Sequence, residues 1–277
     1  MTPFVLCTLG DLLLDVIVRL EEPLQDGADA GAVTRTGAGG QAANVAAWAA
    51  SLGVEARFVG KRGDDPAGSL AAAELAARGV SVLGPAPAGG NGVVVSLVDV
   101  RGDRAMASDR GVAPTLSAHE LEPEWFEGCS HLHLSGYSVM SSPIDAAAER
   151  AAGIVRNGGG TVSVDLASSS VIGKFGPGQL AARLRSLAPE VVFANEQEHE
   201  AVEGFDLGAG MTWVLKRGPA GCAVEQGGRR TERPAVAAEV ADTTGAGDAF
   251  AAGYLVGGVD LALETAARCV AQLGAMP

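Results

Sequence analysis

A short stretch near the carboxyl end of the chain combines residue types that suit the transfer of an anionic group. It runs from Asp242 to Phe250 and reads DTTGAGDAF. Its glycines let backbone N–H groups converge on an anion, and the helix predicted to follow adds partial positive charge. Asp248 lies beside this anion cradle, where a carboxylate is unfavourable unless it serves to accept a proton. An anion cradle next to a base is what phosphoryl transfer to a hydroxyl group requires.

The same stretch also has a purely structural explanation. Asp248 stands where a side chain can cap the N-terminus of the helix that follows, and glycine-rich turns are common in ordinary loops. Taken alone, the motif therefore leaves both alternatives open.

Polar residues in the first part of the chain supply a second group of candidates. Asp11 and Asp15 interrupt an apolar run, so each carboxylate needs a partner or a polar ligand. Gln41 and Asn44 share one face of the first turn of an Ala-rich helix, where their amides can hydrogen-bond a polyol. Gly40 precedes them and lets a ligand approach the backbone. The alternatives are capping aspartates and a close-packed helix with solvated amides.

Asn195 and Glu198 form a third group. Asn195 ends a predicted strand, and Glu198 follows three residues later inside a predicted helix. This is capping-box spacing, which has a structural explanation. In the functional alternative, Glu198 holds a metal ion through water and Asn195 contacts a phosphate. Asp165 also ends a predicted strand, and ligands bind at that edge of open α/β sheets.

The composition of the 277 residues limits the class of protein. Apolar residues make up 47% and charged residues 19%, which is typical of a globular chain. The net charge of −13 argues against nucleic acid or an anionic membrane as the main partner. Four widely spaced cysteines predict neither a disulfide framework nor a structural zinc site. Since no leader or long apolar run is evident, we expect a cytoplasmic protein.

The order of predicted elements indicates the fold. Strands alternate with helices through most of the chain, and residues 249–256 and 261–273 predict two final helices. We therefore expect an α/β fold with a doubly wound, mostly parallel sheet flanked by helices, in a single domain over residues 1–277. Two segments, at about 12–36 and 91–112, do not fit this alternation and are expected to form a small β lid.

Several motifs follow the order of a known family, because the sequence resembles the ribokinase-like carbohydrate kinases, also called the PfkB family. The resemblance covers essentially the whole chain. Its most specific part is residues 242–250, which look like the C-terminal signature of the family. Further matches are Gly10-Asp11-x-x-x-Asp15, Gly39-Gly40-x-x-x-Asn44, Asn195-x-x-Glu198 and Lys216-Arg217-Gly218-x-x-Gly221.

The resemblance implies an ATP-dependent, Mg²⁺-using kinase that phosphorylates a hydroxymethyl group on a sugar or a sugar-containing small molecule. Asp248 would be the catalytic base. The backbone anion hole would be formed by Gly245, Ala246 and Gly247. The hydroxyl groups of the acceptor would be bound by Asp15, Gly40, Gln41 and Asn44. Contacts with the nucleotide would be made by Asn195, Lys216, Gly218 and Gly221.

The resemblance also implies ions and a partner. Glu198 would hold Mg²⁺ through water. Asp242 and Thr244 match positions that bind a monovalent cation such as K⁺ in some members. Members usually extend further than this chain does beyond Gly274, so the cation site is expected to be incomplete. Residues 104–111 would belong to a lid that closes over the sugar and often forms a dimer interface, so a homodimer through the lid is expected.

Three other functions remain as alternatives. The nearest is a nucleoside kinase of the same family, although no aromatic platform for a base is evident, since only Tyr137 and Trp48 stand near the acceptor motifs in the sequence. The second is a catalytically silent sugar-binding regulator on the same fold, against which the intact Asp248 argues. The third is a dinucleotide-binding oxidoreductase, which would need a G-x-G-x-x-G after the first strand, and residues 10–12 lack it.

Overall fold

The computed structural model describes residues 3–207 and 210–277. Within these residues the strands form two sheets, one of nine strands and one of four. In chain order the strands are β1 (Val5–Leu9), β2 (Leu13–Leu20), β3 (Ala32–Gly39), β4 (Glu55–Val59), β5 (Val80–Leu83), β6 (Asn91–Val98), β7 (Arg104–Gly111), β8 (His131–Ser135), β9 (Thr161–Asp165), β10 (Val191–Asn195), β11 (Thr212–Lys216), β12 (Cys222–Gln226) and β13 (Arg229–Arg233).

Helices connect most of the strands of the larger sheet. Short 3₁₀ helices also occur, three of them between β7 and β8. In chain order the α-helices are α1 (Gln41–Ser51), α2 (Pro66–Ala77), α3 (Gly136–Val139), α4 (Ile144–Asn157), α5 (Ser169–Phe175), α6 (Pro177–Leu187), α7 (Glu196–Val202) and α8 (Ala246–Val270).

The nine-stranded sheet has the order β13-β12-β11-β10-β9-β8-β1-β4-β5. All neighbours from β11 to β5 pair in parallel, and only β12 and β13 are added antiparallel at one edge. The central strands β1 and β8 are buried at every residue, which is typical of a parallel sheet covered on both faces. The predicted doubly wound, mostly parallel sheet is thus confirmed.

Two apolar clusters cover the two faces of this sheet. One contains Cys7 and Leu9 of β1, together with Ile144 of α4 and residues of α6. The other contains Leu6 of β1, together with residues of α1 and α8. Its largest buried side chain is that of Trp48, in α1. Because side chains of a strand alternate between faces, β1 contributes to both clusters. Helices therefore lie on both faces of the sheet, as the sequence predicts.

The four-stranded sheet has the order β3-β2-β6-β7. Its central pair, β2 and β6, is parallel, whereas β3 and β7 are antiparallel to their neighbours. These strands occupy the two segments that did not fit the alternation, and β3 ends at Gly39, three residues beyond the expected limit. That this sheet acts as a lid stays a prediction.

The last helix differs from the sequence-based expectation. α8 begins at Ala246, and its two helical parts are joined at Gly258, which has non-helical φ and ψ of 81° and −165°. The first part therefore starts three residues earlier than predicted, directly at the Gly-Ala-Gly turn. By length and composition α8 is the one helix in the described residues that could cross a membrane. It packs against α1 and contributes residues such as Phe250 to the second cluster, as core helices do.

Candidate active site

The turn before α8 is shaped by Gly245. This residue is the N-cap of α8 and has a φ of 77°, a backbone conformation that favours glycine. A Cβ atom at this position would lie 2.6 Å from the carbonyl oxygen of Ala275. The turn thus requires glycine both for its conformation and for its close approach to the backbone of residue 275. The start of α8 adds the partial positive charge of a helix N-terminus to this place.

The turn separates two cavities. The smaller has a volume of about 270 Å³ and is lined at the turn by Thr244, Gly245 and Asp248. The larger has a volume of about 520 Å³ and is lined at the turn by Thr243, Ala246 and Gly247. One short segment is therefore the wall that the two cavities share. Ligands bound in the two cavities would therefore come close to each other at this segment.

The smaller cavity contains every residue that the sequence predicts for the acceptor. Asp15 comes from β2 and the others come from the start of α1. The Oε1 atom of Gln41 accepts a hydrogen bond of 2.6 Å from the Oγ of Ser135, at the carboxyl end of β8. The predicted acceptor residues that line this cavity are Asp15, Gly40, Gln41 and Asn44.

Asp248 is held by Asn44. The Nδ2 atom of Asn44 donates a hydrogen bond of 2.7 Å to Oδ2 of Asp248. Burial raises the pKa of Asp248 to about 7, although the hydrogen bond from Asn44 acts in the opposite direction. A carboxyl group whose pKa lies near neutrality is suited to accepting a proton near neutral pH. Burial also raises the pKa of Asp15, to about 6.

An ion pair connects the small sheet to the rim of the same cavity. Arg110 of β7 donates from Nε and Nη2 to the two carboxylate oxygens of Asp11, and from Nη1 to Ser141 at 2.7 Å. Its guanidinium also lies over the ring of Tyr137, 5.6 Å from the centroid. Both Arg110 and Tyr137 line the cavity. The partner that Asp11 needs is therefore an arginine almost 100 residues away.

The two aromatic residues near the acceptor motifs have different positions in the structure. Tyr137 lines the smaller cavity, but Trp48 does not. Trp48 is buried in the second apolar cluster, and its Nε1 donates to the carbonyl of Ala275 at 2.8 Å. Trp48 thus offers no platform for a base, because α1 turns this ring towards the core.

The larger cavity combines glycine-rich backbone, one basic side chain and an apolar wall. Lys216 ends β11, and the residues of the following loop include Gly218 and Gly221, as predicted. The Nζ atom of Lys216 donates to Oδ2 of Asp165 at 2.5 Å. Such a cavity suits a ligand with one apolar ring system and one anionic end. The apolar wall includes Val236, Ala238, Val240, Phe250, Leu263 and Ala266.

Asn195 and Glu198 form the capping box that their spacing allows. Oε2 of Glu198 accepts from the backbone N–H of Asn195 at 2.9 Å, and Oδ1 of Asn195 accepts from the N–H of Glu198 at 2.9 Å. Neither residue lines either cavity. Glu198 is nonetheless buried, and burial, together with the charge of Asp165, raises its pKa. A phosphate contact by Asn195 and a metal contact by Glu198 stay predictions.

The predicted ions can be tested against the side chains present. Among the described residues no group of three or more His, Cys, Asp or Glu could hold a metal. A single buried carboxylate, Glu198, fits a Mg²⁺ ion held mainly by nucleotide phosphates and water. Asp242 accepts from Thr244 through Oδ1 and from the N–H of Gly274 through Oδ2, at 2.6–3.2 Å. Binding of K⁺ by Asp242 and Thr244 stays a prediction.

Sequence reasoning did not assign a role to several residues of the site. Arg110 and Ser135 line the smaller cavity, and Asp165 is the partner of Lys216. A signal existed for Asp165, because it ends a strand at the edge where ligands bind. The isolated carboxylate of Asp11 also indicated an unidentified partner, which is Arg110. Ser135 carried no signal of its own.

Comparison with known proteins identifies the family of this chain. Residues 5–276 match the sequence model of the pfkB family carbohydrate kinases. The chain belongs to this family, and it is a carbohydrate kinase.

Three known proteins illustrate the similarity. An ATP-dependent ribose-1-phosphate kinase from Halopiger xanaduensis is 33% identical over 275 residues, which cover 94% of this chain and 88% of the relative. The crystal structure of adenosine kinase from Sinorhizobium meliloti has a TM-score of 0.85 at 27% identity and covers 100% and 96% of the two chains. A putative ribokinase II from Escherichia coli, in complex with ATP and Mg²⁺, shares the fold, with a TM-score of 0.80, 23% identity and 99% and 94% coverage.

Proposed function

We propose that this carbohydrate kinase transfers the γ-phosphoryl group of ATP to a hydroxymethyl group on a sugar or a sugar-containing small molecule. The observation that carries the proposal is the position of Asp248. Its carboxylate faces the smaller cavity, while the turn that precedes it faces both cavities. An acceptor in the smaller cavity and a nucleotide in the larger one would bring a hydroxyl and a phosphoryl group together at Asp248.

Asp248 acts as the base in this proposal. It accepts the proton of the acceptor hydroxyl as the hydroxyl oxygen bonds to the γ-phosphorus of ATP and the bond from that phosphorus to the oxygen of the leaving ADP breaks. Asn44 orients the carboxylate through its hydrogen bond. The backbone amides of residues 245–247, at the start of α8, donate to the phosphoryl oxygens as charge develops on them. Gly245 is needed for the shape of this turn, because a side chain at this position would collide with the backbone of Ala275.

The acceptor is bound by carboxylate, amide and backbone groups. Asp15, Gln41 and Asn44 line the smaller cavity with carboxylate and amide groups, and the backbone of Gly40 lines it beside them. This set of groups suits vicinal hydroxyls. The charge of Arg110 is balanced by Asp11. Arg110 would therefore contribute to acceptor binding as a fixed hydrogen-bond donor at the rim of the cavity, and not through an uncompensated positive charge.

The nucleotide is expected in the larger cavity. Its apolar wall would contact the adenine, and the loop with Gly218 and Gly221 would lie along the ribose and phosphates. ATP is named as the donor for the Halopiger relative, and the E. coli neighbour is in complex with ATP and Mg²⁺. Mg²⁺, when bound with the nucleotide, would neutralise part of the charge of its phosphates. Glu198 would hold its water ligands.

A nucleoside kinase is the second candidate, and the adenosine kinase neighbour supports it. Tyr137 is the aromatic residue available to a base in the smaller cavity. The guanidinium of Arg110 already covers one face of its ring. We therefore favour a sugar over a nucleoside as the acceptor.

An acceptor screen tests this function. Purified protein is incubated with ATP and Mg²⁺ and with single acceptors, namely ribose, fructose, ribose 1-phosphate and adenosine, and ADP production is measured. We expect ADP production with at least one sugar or sugar derivative, and none above background with Asp248→Asn. If adenosine alone is active, the nucleoside kinase is correct. If no acceptor from a wider panel produces ADP although sugars raise the melting temperature, the protein is a silent sugar-binding regulator.

The remaining expectations concern the surroundings of the enzyme. The net charge of −13 supports an enzyme that acts on small molecules without nucleic acid or membrane as a partner. We propose a cytoplasmic location and a homodimer formed through the four-stranded sheet. Light scattering coupled to size-exclusion chromatography would measure the mass, and a monomer at micromolar concentration would contradict the dimer.

A further inference from the structure

Lys216 has an unusual environment for a lysine. The chain has only three lysines, at positions 61, 174 and 216. The side chain of Lys216 is 17% exposed, and its Nζ donates to the fully buried carboxylate of Asp165. Both residues end parallel strands of the larger sheet, at its carboxyl edge. The sheet therefore fixes the ammonium at the edge where ligands bind.

Buried carboxylates surround this ammonium. Burial alone would lower the pKa of Lys216, but the charges of Asp165 and Glu198, with a smaller effect of Asp248, raise it above its usual value. Lys216 is therefore cationic at neutral pH. Without it, the carboxylates of Asp165 and Glu198 would lose this compensating charge, and their negative charge would repel an incoming phosphate.

The ammonium lies directly behind the predicted anion hole. A Cβ atom built at Gly247 would be 3.2 Å from Nζ of Lys216. Both residues line the larger cavity, and Lys216 is the only cationic side chain among the described residues that line it. An anion that approached the amides of the turn would thus meet this ammonium as well.

We propose that Lys216 is a further catalytic residue, whose ammonium contacts the phosphoryl group in transfer while Asp165 holds it in position behind the turn. This inference rests on the proposed kinase function. It assigns Lys216 to the end of the triphosphate that reacts, rather than to general support of the nucleotide loop. As charge accumulates on the phosphoryl oxygens, the fixed ammonium stabilises it without reorganisation. Asp165 acts through Lys216 and is a positioning residue.

Nucleotide binding separates the two roles of Lys216. A residue that contacts the γ-phosphoryl group contributes to binding of a triphosphate but not of a diphosphate, whereas a residue that only supports the loop affects both. The probes are ADP and the non-hydrolysable β,γ-imido analogue of ATP, each with Mg²⁺, titrated by calorimetry. For Lys216→Met we expect roughly 10- to 100-fold weaker binding of the analogue, the loss typical of one charged hydrogen bond, and ADP binding within about threefold of wild type.

Two further variants keep the test independent of misfolding. Lys216→Met leaves Asp165 buried without its partner, so the double variant Lys216→Met, Asp165→Asn removes both charges together. This double variant should fold and bind ADP with the affinity of wild type, and its affinity for the β,γ-imido analogue should stay as low as that of Lys216→Met. Lys216→Arg should restore part of that binding. Lys174→Met, at an exposed position of α5, is the matched control and should bind both probes like wild type.

Kinetics complete the test. In Lys216→Met, kcat is expected to fall by roughly 100- to 1,000-fold with the acceptor KM little changed, as when one charge-stabilising group is removed. If Lys216→Met lost equal affinity for ADP and for the analogue, or lost affinity for neither, Lys216 would not contact the phosphoryl group in transfer. Absence of nucleotide binding in the wild-type protein would instead contradict the proposed function, so the two failures are distinguishable.

Discussion

Asn44 donates a hydrogen bond of 2.7 Å to Asp248 across 204 residues of sequence. It joins the first turn of α1 to the first turn of α8, so the two regions that carry the most specific motifs meet at one contact. The hydrogen bond favours the ionised carboxylate, whereas burial favours the protonated form. Asn44 therefore has two expected effects, because it orients the carboxylate of Asp248 and limits the rise of its pKa.

Replacing Asp248 tests the base directly. In Asp248→Asn the amide keeps the shape of the side chain but accepts no proton, so we expect kcat to fall by at least roughly 100-fold while the acceptor KM changes little. Steady-state kinetics measure both. Asp260→Asn, at an exposed position of the same helix, should behave like wild type. Near-normal turnover of Asp248→Asn would contradict the role of the base.

Replacing Asn44 tests its influence on Asp248. Asn44→Ala removes the hydrogen bond that lowers the pKa of Asp248, so this pKa should rise above its value of about 7. In a profile of kcat/KM against pH, the rise on the acid side should move to higher pH, and the loss of activity should be larger at pH 6 than at pH 9. Asn157→Ala, at the exposed end of α4, serves as control. A uniform loss at all pH values would indicate that Asn44 only binds the acceptor.

The predicted site residues that the structure brings together share a local signal. One cavity is lined by Asp15, Gln41, Asn44, Thr244, Gly245 and Asp248. Each is a polar or glycine residue in an otherwise apolar stretch of sequence. A polar group buried in such a stretch needs a hydrogen-bonding partner or a ligand, so the neighbouring sequence alone marks it as a candidate. The parallel sheet is likewise predicted by the alternation of strands and helices, because the signal for each strand or helix lies in a short segment of sequence.

The parts that the sequence does not predict depend on distant contacts. A buried aspartate must have a partner, but nothing near Asp11 indicates that this partner is Arg110, 99 residues away. The pairing of Lys216 with Asp165 depends in the same way on strand order. The helices α5 and α6, over residues 169–187, have no clear helical pattern in the sequence, because Gly173, Gly176 and Pro177 interrupt it.

The raised pKa values predict how stability depends on pH. Burial raises the pKa of Asp15 to about 6 and that of Asp248 to about 7, so the folded protein binds these protons more tightly than the unfolded chain does. Their contribution is fully present below the pKa of the unfolded chain, near 4, and is lost as the pH rises to about 7. The free energy of unfolding without ligand should therefore decrease between pH 5 and pH 8, when other groups are held constant.

Asp248→Asn isolates this effect. The variant lacks the titration, so its stability relative to wild type should increase from pH 5 to pH 8 by on the order of 2–3 kcal/mol. Urea unfolding at the two pH values measures the difference, and Asp260→Asn is again the control. If the difference in unfolding free energy between the variant and wild type were the same at both pH values, Asp248 would not be buried in the free protein.

Replacing Gly245 tests the turn against a matched glycine. Gly245→Ala places a Cβ atom 2.6 Å from the carbonyl oxygen of Ala275, in addition to the strain of a positive φ. Gly159 has a similar φ of 86° but no atom within 4 Å of a built Cβ. Gly159→Ala should cost about 1–2 kcal/mol of stability, and Gly245→Ala clearly more, with loss of most activity. Equal stability and activity of the two variants would contradict a close-packed turn.

The ion pair of Arg110 predicts how the small sheet contributes to the site. Arg110 belongs to β7, yet its guanidinium is held by Asp11 and Ser141 at the rim of the acceptor cavity. Arg110→Met removes these charged hydrogen bonds and leaves the carboxylate of Asp11 without its partner. We therefore expect the acceptor KM to rise roughly 10-fold or more, as is typical when a charged hydrogen bond is lost, while the KM for ATP stays within about twofold.

The same hairpin supplies a control for this variant. Arg101→Met removes an arginine whose side chain is 77% exposed and pairs with Asp99 and Asp103 in the β6–β7 turn. It should leave both KM values unchanged. In the double variant Arg110→Met, Asp11→Asn, no buried carboxylate is left unpaired, so any folding defect should be relieved while the acceptor KM stays high. A rise in the KM for ATP alone would show that β7 acts on the nucleotide side, and the four-stranded sheet would then not cover the acceptor.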